Sequence, residues 1–204
     1  MHIAVLSGFG VSLAAIWIAQ VGKLRGWLFA LLPLALTAYF LSFAPAIADG
    51  EAITHSFAWV PSLDIELSFR LDGLSWLFAL LIRGIGALVF IYAGAYFGDD
   101  PLVGRFYAYI LIFMASMLGL VLADNLIALF IFWELTSFSS YLLIGFKHED
   151  EAARKAALQA LLVTGGGGLA LLAGAFLLGV AGGSFSISAL PARGALTPDA
   201  HYVP

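Results

Sequence analysis

The chain has 204 residues and no cysteine, which excludes disulfides, thiolate metal ligands, iron-sulfur ligation and a cysteine nucleophile. Charge is scarce too. Asp, Glu, Lys and Arg make up 11% of the residues, less than half of the roughly 25% usual in a soluble domain. With 13 acidic against 9 basic side chains, no broad positive field exists to hold a nucleic-acid backbone, so nucleic acid is not an expected partner. The histidines His2, His55, His148 and His201 are scattered and suggest no metal cluster. No glycine-rich strand-to-helix turn is present, because the run Gly165 to Gly168 lies in an apolar stretch and is not a phosphate loop. No cofactor or metal site is therefore expected. What remains is apolar: 62% of the residues are hydrophobic, so a soluble globule is excluded and the lipid bilayer is the expected surrounding.

Apolar stretches at 3–22, 27–48, 73–98, 105–123, 125–146 and 156–182 read as membrane spans, at about 20 residues per crossing. The first is expected to be a retained helix and not a signal peptide, since Lys23 and Arg25 follow the apolar run instead of preceding it. The expected fold class is all-α: a polytopic transmembrane helix bundle of about six spans. A short extracytoplasmic strand or hairpin is expected near 63–70, because Leu63 to Phe69 alternates apolar and polar residues.

The chain reads as a single membrane domain over 1–204. Within it, 1–62 holds the first two helices and an outer loop, 63–182 a core, and 183–204 a loop tail broken by Pro191, Pro198 and Pro204. One set of alternate loops carries Lys23, Arg25, Arg105, Lys147, Arg154 and Lys155, and the other only Arg70 and Arg193. Basic residues stay on the cytoplasmic side, so both termini are expected outside. The charged stretch 147–155 is expected to open the last helix, with Glu149 to Glu151 near its positive end.

Small residues mark where membrane helices can approach. Ala115, Gly119 and Ala123 recur every four residues, as do Gly166, Ala170 and Gly174, and both sets are expected to be packing stripes. The run Gly165 to Gly168 is read in two ways, as a local break lining a cavity or as a site of close helix packing.

Two ionisable side chains lie deep within the expected spans, Arg83 in the third and Glu134 in the fifth. A charge in the bilayer centre costs at least ~2.5 kcal/mol and points to function. Ser137 and Tyr141 follow Glu134 at i+3 and i+7, on the same helix face. Withdrawal from water favours the neutral form of a carboxyl group, so Glu134 is a candidate for loading and releasing a proton. Arg83 and Glu134 both lie about 14–17 Å from the outer ends of their helices. Arg83 is therefore a candidate counter-ion for Glu134, its alternatives being snorkelling to a lipid headgroup or contact with another subunit. Thr164, before the glycine run, is a further polar candidate.

The segments Phe69-Arg70-Leu71-Asp72-Gly73-Leu74-Ser75 and Phe132-Trp133-Glu134-Leu135-Thr136-Ser137, the latter followed by Tyr141 to Phe146, resemble the antiporter-like subunits shared by respiratory complex I and the Mrp-type cation/proton antiporters. Ala156 to Gly165 and the glycines after it look most like the large A-type subunit of the Mrp antiporters. The resemblance covers about 65–175.

It implies a bacterial plasma-membrane protein that exchanges Na⁺ or K⁺ for protons together with other antiporter-complex membrane subunits. It also implies a secondary transporter rather than an enzyme. Glu134 is then the fifth-helix carboxylate, working with a lysine of a seventh helix that this chain does not contain, so the chain resembles an N-terminal fragment with an incomplete core. Arg83 departs from the small or hydroxyl side chain the resemblance leads one to expect. Two other classes remain open: a proton-pumping membrane subunit of NADH:quinone oxidoreductase, whose redox chemistry would reside in other subunits, and a non-transporting scaffold.

Overall fold

The computed structural model describes residues 1–19, 24–60, 65–98 and 100–190. In chain order its elements are α1 (His2–Ile18), α2 (Arg25–Leu41), α3 (Ala44–Ala48), β1 (Ile53–Val60), β2 (Ile65–Leu71), α4 (Gly73–Tyr96), α5 (Val103–Leu122), α6 (Leu126–Ile144) and α7 (Glu151–Gly182). Among the described residues four helices, α4 to α7, are long and apolar enough to cross a membrane. The expected first two spans are shorter than read. α1 and α2 have 17 residues each, about 25 Å at 1.5 Å per residue. The stretch 27–48 divides because α2 ends at Leu41 and a new turn, α3, starts with a proline in its first positions. Part of the first expected span, Lys23 and the tail from 191 onward, including Arg193, lie outside the described residues.

The expected hairpin is present. β1 and β2 pair antiparallel from Ile53↔Leu71 to Val60↔Ile65, with an irregularity between Ala58 and Val60. Phe69 and Leu71, two apart on β2, are fully buried and turn into the bundle, whereas most of β1 is exposed. The hairpin closes one end of the bundle. His2 Nε2 lies 3.0 Å from the Leu67 carbonyl, and Trp76 Nε1 at the start of α4 donates to the Phe40 carbonyl at the end of α2 (2.7 Å). Between α5 and α6, the Asp124 N–H donates to the Ser68 carbonyl of β2 (2.9 Å). After α7 the chain returns to the same place: the Leu126 N–H donates to the Phe185 carbonyl and the Ile187 N–H to the Asp124 carbonyl, both at 2.9 Å. The long helices thus alternate in direction, and Met1 and residues 184–190 share one end.

Inside, α2 packs on α4, α1 on α5, α5 on α6 and α6 on α7. Two apolar clusters form the core, one around Phe29, Phe90, Tyr107 and Leu111, the other around Val5, Phe40, Phe69, Leu122 and Phe132 beneath the hairpin. α2 and α4 meet backbone to backbone, where a Cβ on Gly26 would stand 2.8 Å from the Phe90 carbonyl oxygen and 3.0 Å from Gly94 Cα. Of the two expected packing stripes, the one on α5 makes contacts and the one on α7 largely does not. Gly8 of α1 lies on Ala115 and Gly119 holds the ring of Phe132 from α6, while Ala123 falls beyond the end of α5 and bridges to Phe69. Those residues serve three neighbours and not one. On α7, Gly166 and Gly174 would meet nothing within 4 Å, and the small residues that are buried are Ala157, Gly168, Ala175 and Gly179. A four-residue spacing identifies possible contact lines but not which of them finds a neighbour.

Helix starts follow side-chain chemistry. Asp150 caps α7 by accepting from the Ala152 N–H (2.9 Å), and Lys155 reaches Glu151 one turn back at 2.7 Å, as the charge pattern of 147–155 suggests. Asp72 and Ser75 form a reciprocal box at the start of α4: the Ser75 N–H donates to Asp72 Oδ1 at 3.0 Å and the Asp72 N–H to Ser75 Oγ at 2.8 Å. The Ser75 N–H chiefly holds the Asp72 carboxyl below its ordinary range, while burial opposes this and the Ser75 hydroxyl and the Arg70 charge reinforce it.

Replacing Asp72 by Ala is expected to destabilise the protein by about 1 kcal/mol, measured as a drop in thermal midpoint. Because the folded-state value is depressed, Asp72 contributes its stability above the ordinary carboxylate value of about 3.9, and that contribution is lost as pH falls through the lower folded value. The gap between wild type and Asp72→Ala should therefore close in acid.

Candidate functional site

α6 is started by Asn125, whose side-chain oxygen accepts from the N–H groups of Ile127 (2.9 Å) and Ala128 (3.2 Å). Glu134 then falls near the middle of this 19-residue helix. Its side chain is half-buried. Oε1 is wholly covered and has no hydrogen-bond partner among the described residues. What covers it is α7: a Cβ built on Gly168 would overlap Glu134 Oε1, so only the bare backbone fits beside the carboxyl group. α7 runs unbroken through the glycine run, so the close-packing reading holds at Gly168 and the break does not occur. Farther along the same antiparallel seam, a Cβ on Gly145 would stand 3.2 Å from Ala157 Cβ.

One turn from Glu134, Ser137 and Thr164 line one cavity of about 300 Å³ with Thr136, Ser140, Trp133 and Met117. The Thr164 hydroxyl donates to the Ala160 carbonyl of its own helix (2.8 Å) and the Thr136 hydroxyl to the Trp133 carbonyl (2.6 Å), which leaves oxygen lone pairs for a ligand or water. Three of the expected residues, Glu134, Ser137 and Thr164, thus meet along the α6–α7 seam. Tyr141 lies on the same face of α6 by helical period but sits beside the Phe138 ring, with centroids 6.4 Å apart, and does not line the cavity.

Arg83 is elsewhere. Its side chain is completely buried, and Nη2 donates to the Ala4 carbonyl of α1 at 3.3 Å. Nε and Nη1 have no hydrogen-bond partner among the described residues. α4 packs chiefly on α2 and α5, whereas α6 packs chiefly on α5 and α7. No ion pair joins Arg83 to Glu134 among the described residues. Equal depth along the helix axes carries no information about lateral neighbours. Snorkelling does not apply either, since nothing of Arg83 reaches the surface.

Two features escaped the sequence reading. Gly168 is one of four consecutive glycines, and nothing local distinguishes it from the others. At the hairpin end, the buried Asp124 carboxylate accepts from the Ser188 N–H (3.0 Å) and hydroxyl (2.7 Å). It borders a larger cavity, about 500 Å³, shared with Arg70, Asp72 and Ser75. Its partners lie 64 residues away, beyond the reach of any local pattern. That cavity lies among cap and hairpin contacts, away from the only acidic side chain within the four long helices' apolar interiors, so we centre the site on Glu134.

Comparison with known proteins gives two family matches. The family described as NADH-ubiquinone oxidoreductase (complex I), chain 5 N-terminus, matches residues 57–107, and that described as NADH:quinone oxidoreductase/Mrp antiporter, transmembrane, matches 123–196. The A1 subunit of a Na⁺/H⁺ antiporter from Staphylococcus haemolyticus is 45% identical over 168 residues, covering 82% of this chain and 21% of that protein. The corresponding A-type subunit of a Na⁺/H⁺ antiporter from Alkalihalophilus pseudofirmus is 42% identical over 190 residues, covering 92% and 24%. Among solved structures, a chain of the Mrp complex from a Dietzia species superposes with a TM-score of 0.82 at 35% identity, over 93% of this chain and 20% of that one. The chain spans about a fifth of the length of the curated relatives it matches.

A double-mutant cycle checks the separation of the two charges. Arg83→Met and Glu134→Gln should shift the thermal stability of the purified protein additively, within ~0.5 kcal/mol. A buried ion pair would couple them by several times that amount.

Proposed function

Because this chain belongs to the family of antiporter-like membrane subunits shared by NADH:quinone oxidoreductase and the Mrp antiporters, we propose that it is the region of the large A-type subunit in which a monovalent cation/proton antiporter handles its proton. The observation that carries this reading is Glu134 itself. It is a carboxyl group midway along an apolar helix, with one oxygen covered and without a hydrogen-bond partner among the described residues, one turn from a cavity bordered in part by hydroxyl groups. Glu134 is the proton carrier, and the Ser137–Thr164 cavity supplies water and hydroxyl groups through which the proton arrives. A proton and a cation brought near compete for the same negative charge, and this competition is the elementary basis of exchange.

The exchanged cation is Na⁺ or K⁺. Since the matched region is about a fifth of each relative, transport is proposed for the full-length subunit together with its partner subunits in a bacterial plasma membrane. α1 and α2 complete six crossings at the short end of the spanning range, roughly 17–25 residues. With Lys and Arg concentrated in the loops opposite the hairpin, Met1 and the hairpin face outward. A redox-driven proton-pumping subunit is the second reading, favoured by the complex I description of the family that matches 57–107. The two relatives described above favour the antiporter.

The test is cation-dependent proton movement in everted vesicles carrying the full-length subunit in its complex. Glu134→Gln should lower the rate by at least about tenfold with assembly intact, as judged by native gel or size exclusion. Undiminished transport removes Glu134 from the mechanism.

A further inference from the structure

Four consecutive glycines in one helix behave unequally. Cβ atoms built on Gly165, Gly166 and Gly167 would meet nothing within 4 Å, whereas one on Gly168 would overlap Glu134 Oε1 and come within 2.9 Å of its Cδ. Gly168 is also one of the few buried residues of α7. The helix runs unbroken through the run, so the missing side chain at 168 serves approach and not bending. Oε1 is fully covered there and accepts no hydrogen bond from the described residues, and the contact that seats it is steric fit against the α7 backbone. One turn earlier on the same α7 face, Thr164 lines the cavity that also contains Ser137. The same helix therefore walls the carboxyl group and borders the cavity beside it.

We propose that Gly168 is a positioning residue for Glu134: its bare backbone is the wall that seats the carboxyl group at the edge of the Ser137–Thr164 cavity, and so determines where the proton is taken up and released. This rests on the reading of Glu134 as proton carrier. A methyl group at 168 must either drive the carboxyl group out of its seat or part α6 from α7.

The test uses the full-length protein in its assembled complex. Two quantities are read: the pH profile of cation-dependent proton movement, and the infrared difference band of the Glu134 carboxyl, identified by its loss in Glu134→Gln. Gly168→Ala should reduce the rate about tenfold or more, displace the pH profile and shift that band. Gly166→Ala, which gains the same helix propensity but meets nothing, should change none of these.

In a Glu134→Asp background, where the side chain is one methylene shorter, adding Gly168→Ala should have little further effect. An assembled Gly168→Ala complex with a wild-type profile and an unshifted band overturns the proposal. If Gly168→Ala does not assemble, the double variant decides: assembly regained with Asp at 134 supports competition for one space, and assembly not regained overturns it. Full transport by Glu134→Gln would defeat the carrier reading alone, because the band shift measures placement whether or not the group carries protons.

Discussion

Hydrocarbon solvates neither a peptide group nor a carboxylate, and most of what is seen here follows from those two deficits. The first makes the long segments helical and obliges the chain to satisfy its helix ends where they emerge. Asn125, Asp72 and Asp150 do so as side-chain caps, and β2 serves as a shared strip of backbone to which the α5–α6 connection is bonded. The second governs where an acidic group can sit. Glu134 sits within α6 with the α7 backbone at Gly168 against its carboxyl group and, one turn away, a cavity that Ser137 and Thr164 border.

The seam between α6 and α7 illustrates how a membrane protein forms a site without hydrophobic pressure between helices. Small residues let the backbones close, and that closeness carries chemical consequences as well as packing. At Gly145 the approach brings only Ala157 into contact. At Gly168 the same kind of approach presses a backbone against an ionisable side chain. Elsewhere the close crossing of Gly26 and Gly94 joins α2 to α4 backbone to backbone. One packing device thus serves three purposes according to what lies opposite.

Arg83 shows the converse. A guanidinium remains charged under ordinary conditions, yet this one is entirely enclosed and bonds to a backbone carbonyl of α1 instead of a carboxylate. Its hydrogen bond ties α4 to α1, while the Glu134 carboxyl group packs against the α7 backbone at Gly168.

Much was legible in the residues themselves. The apolar runs and turn residues located the helices α4 to α7 to within a few positions, and the alternation of 63–69 located the second hairpin strand, because each of these depends on neighbours a few residues apart. The sequence also isolated Glu134 and Ser137 as polar groups on one helical face, for the same reason. What only the tertiary structure decided was lateral: that Arg83 turns to α1 and not to Glu134, that the stripe of α7 in contact includes Gly168 and not Gly166, and that Asp124 is held by Ser188. Helical period specifies which residues share a face and how deep they lie. It does not specify which helix that face will meet, because that depends on how all the helices are arranged around one another at once.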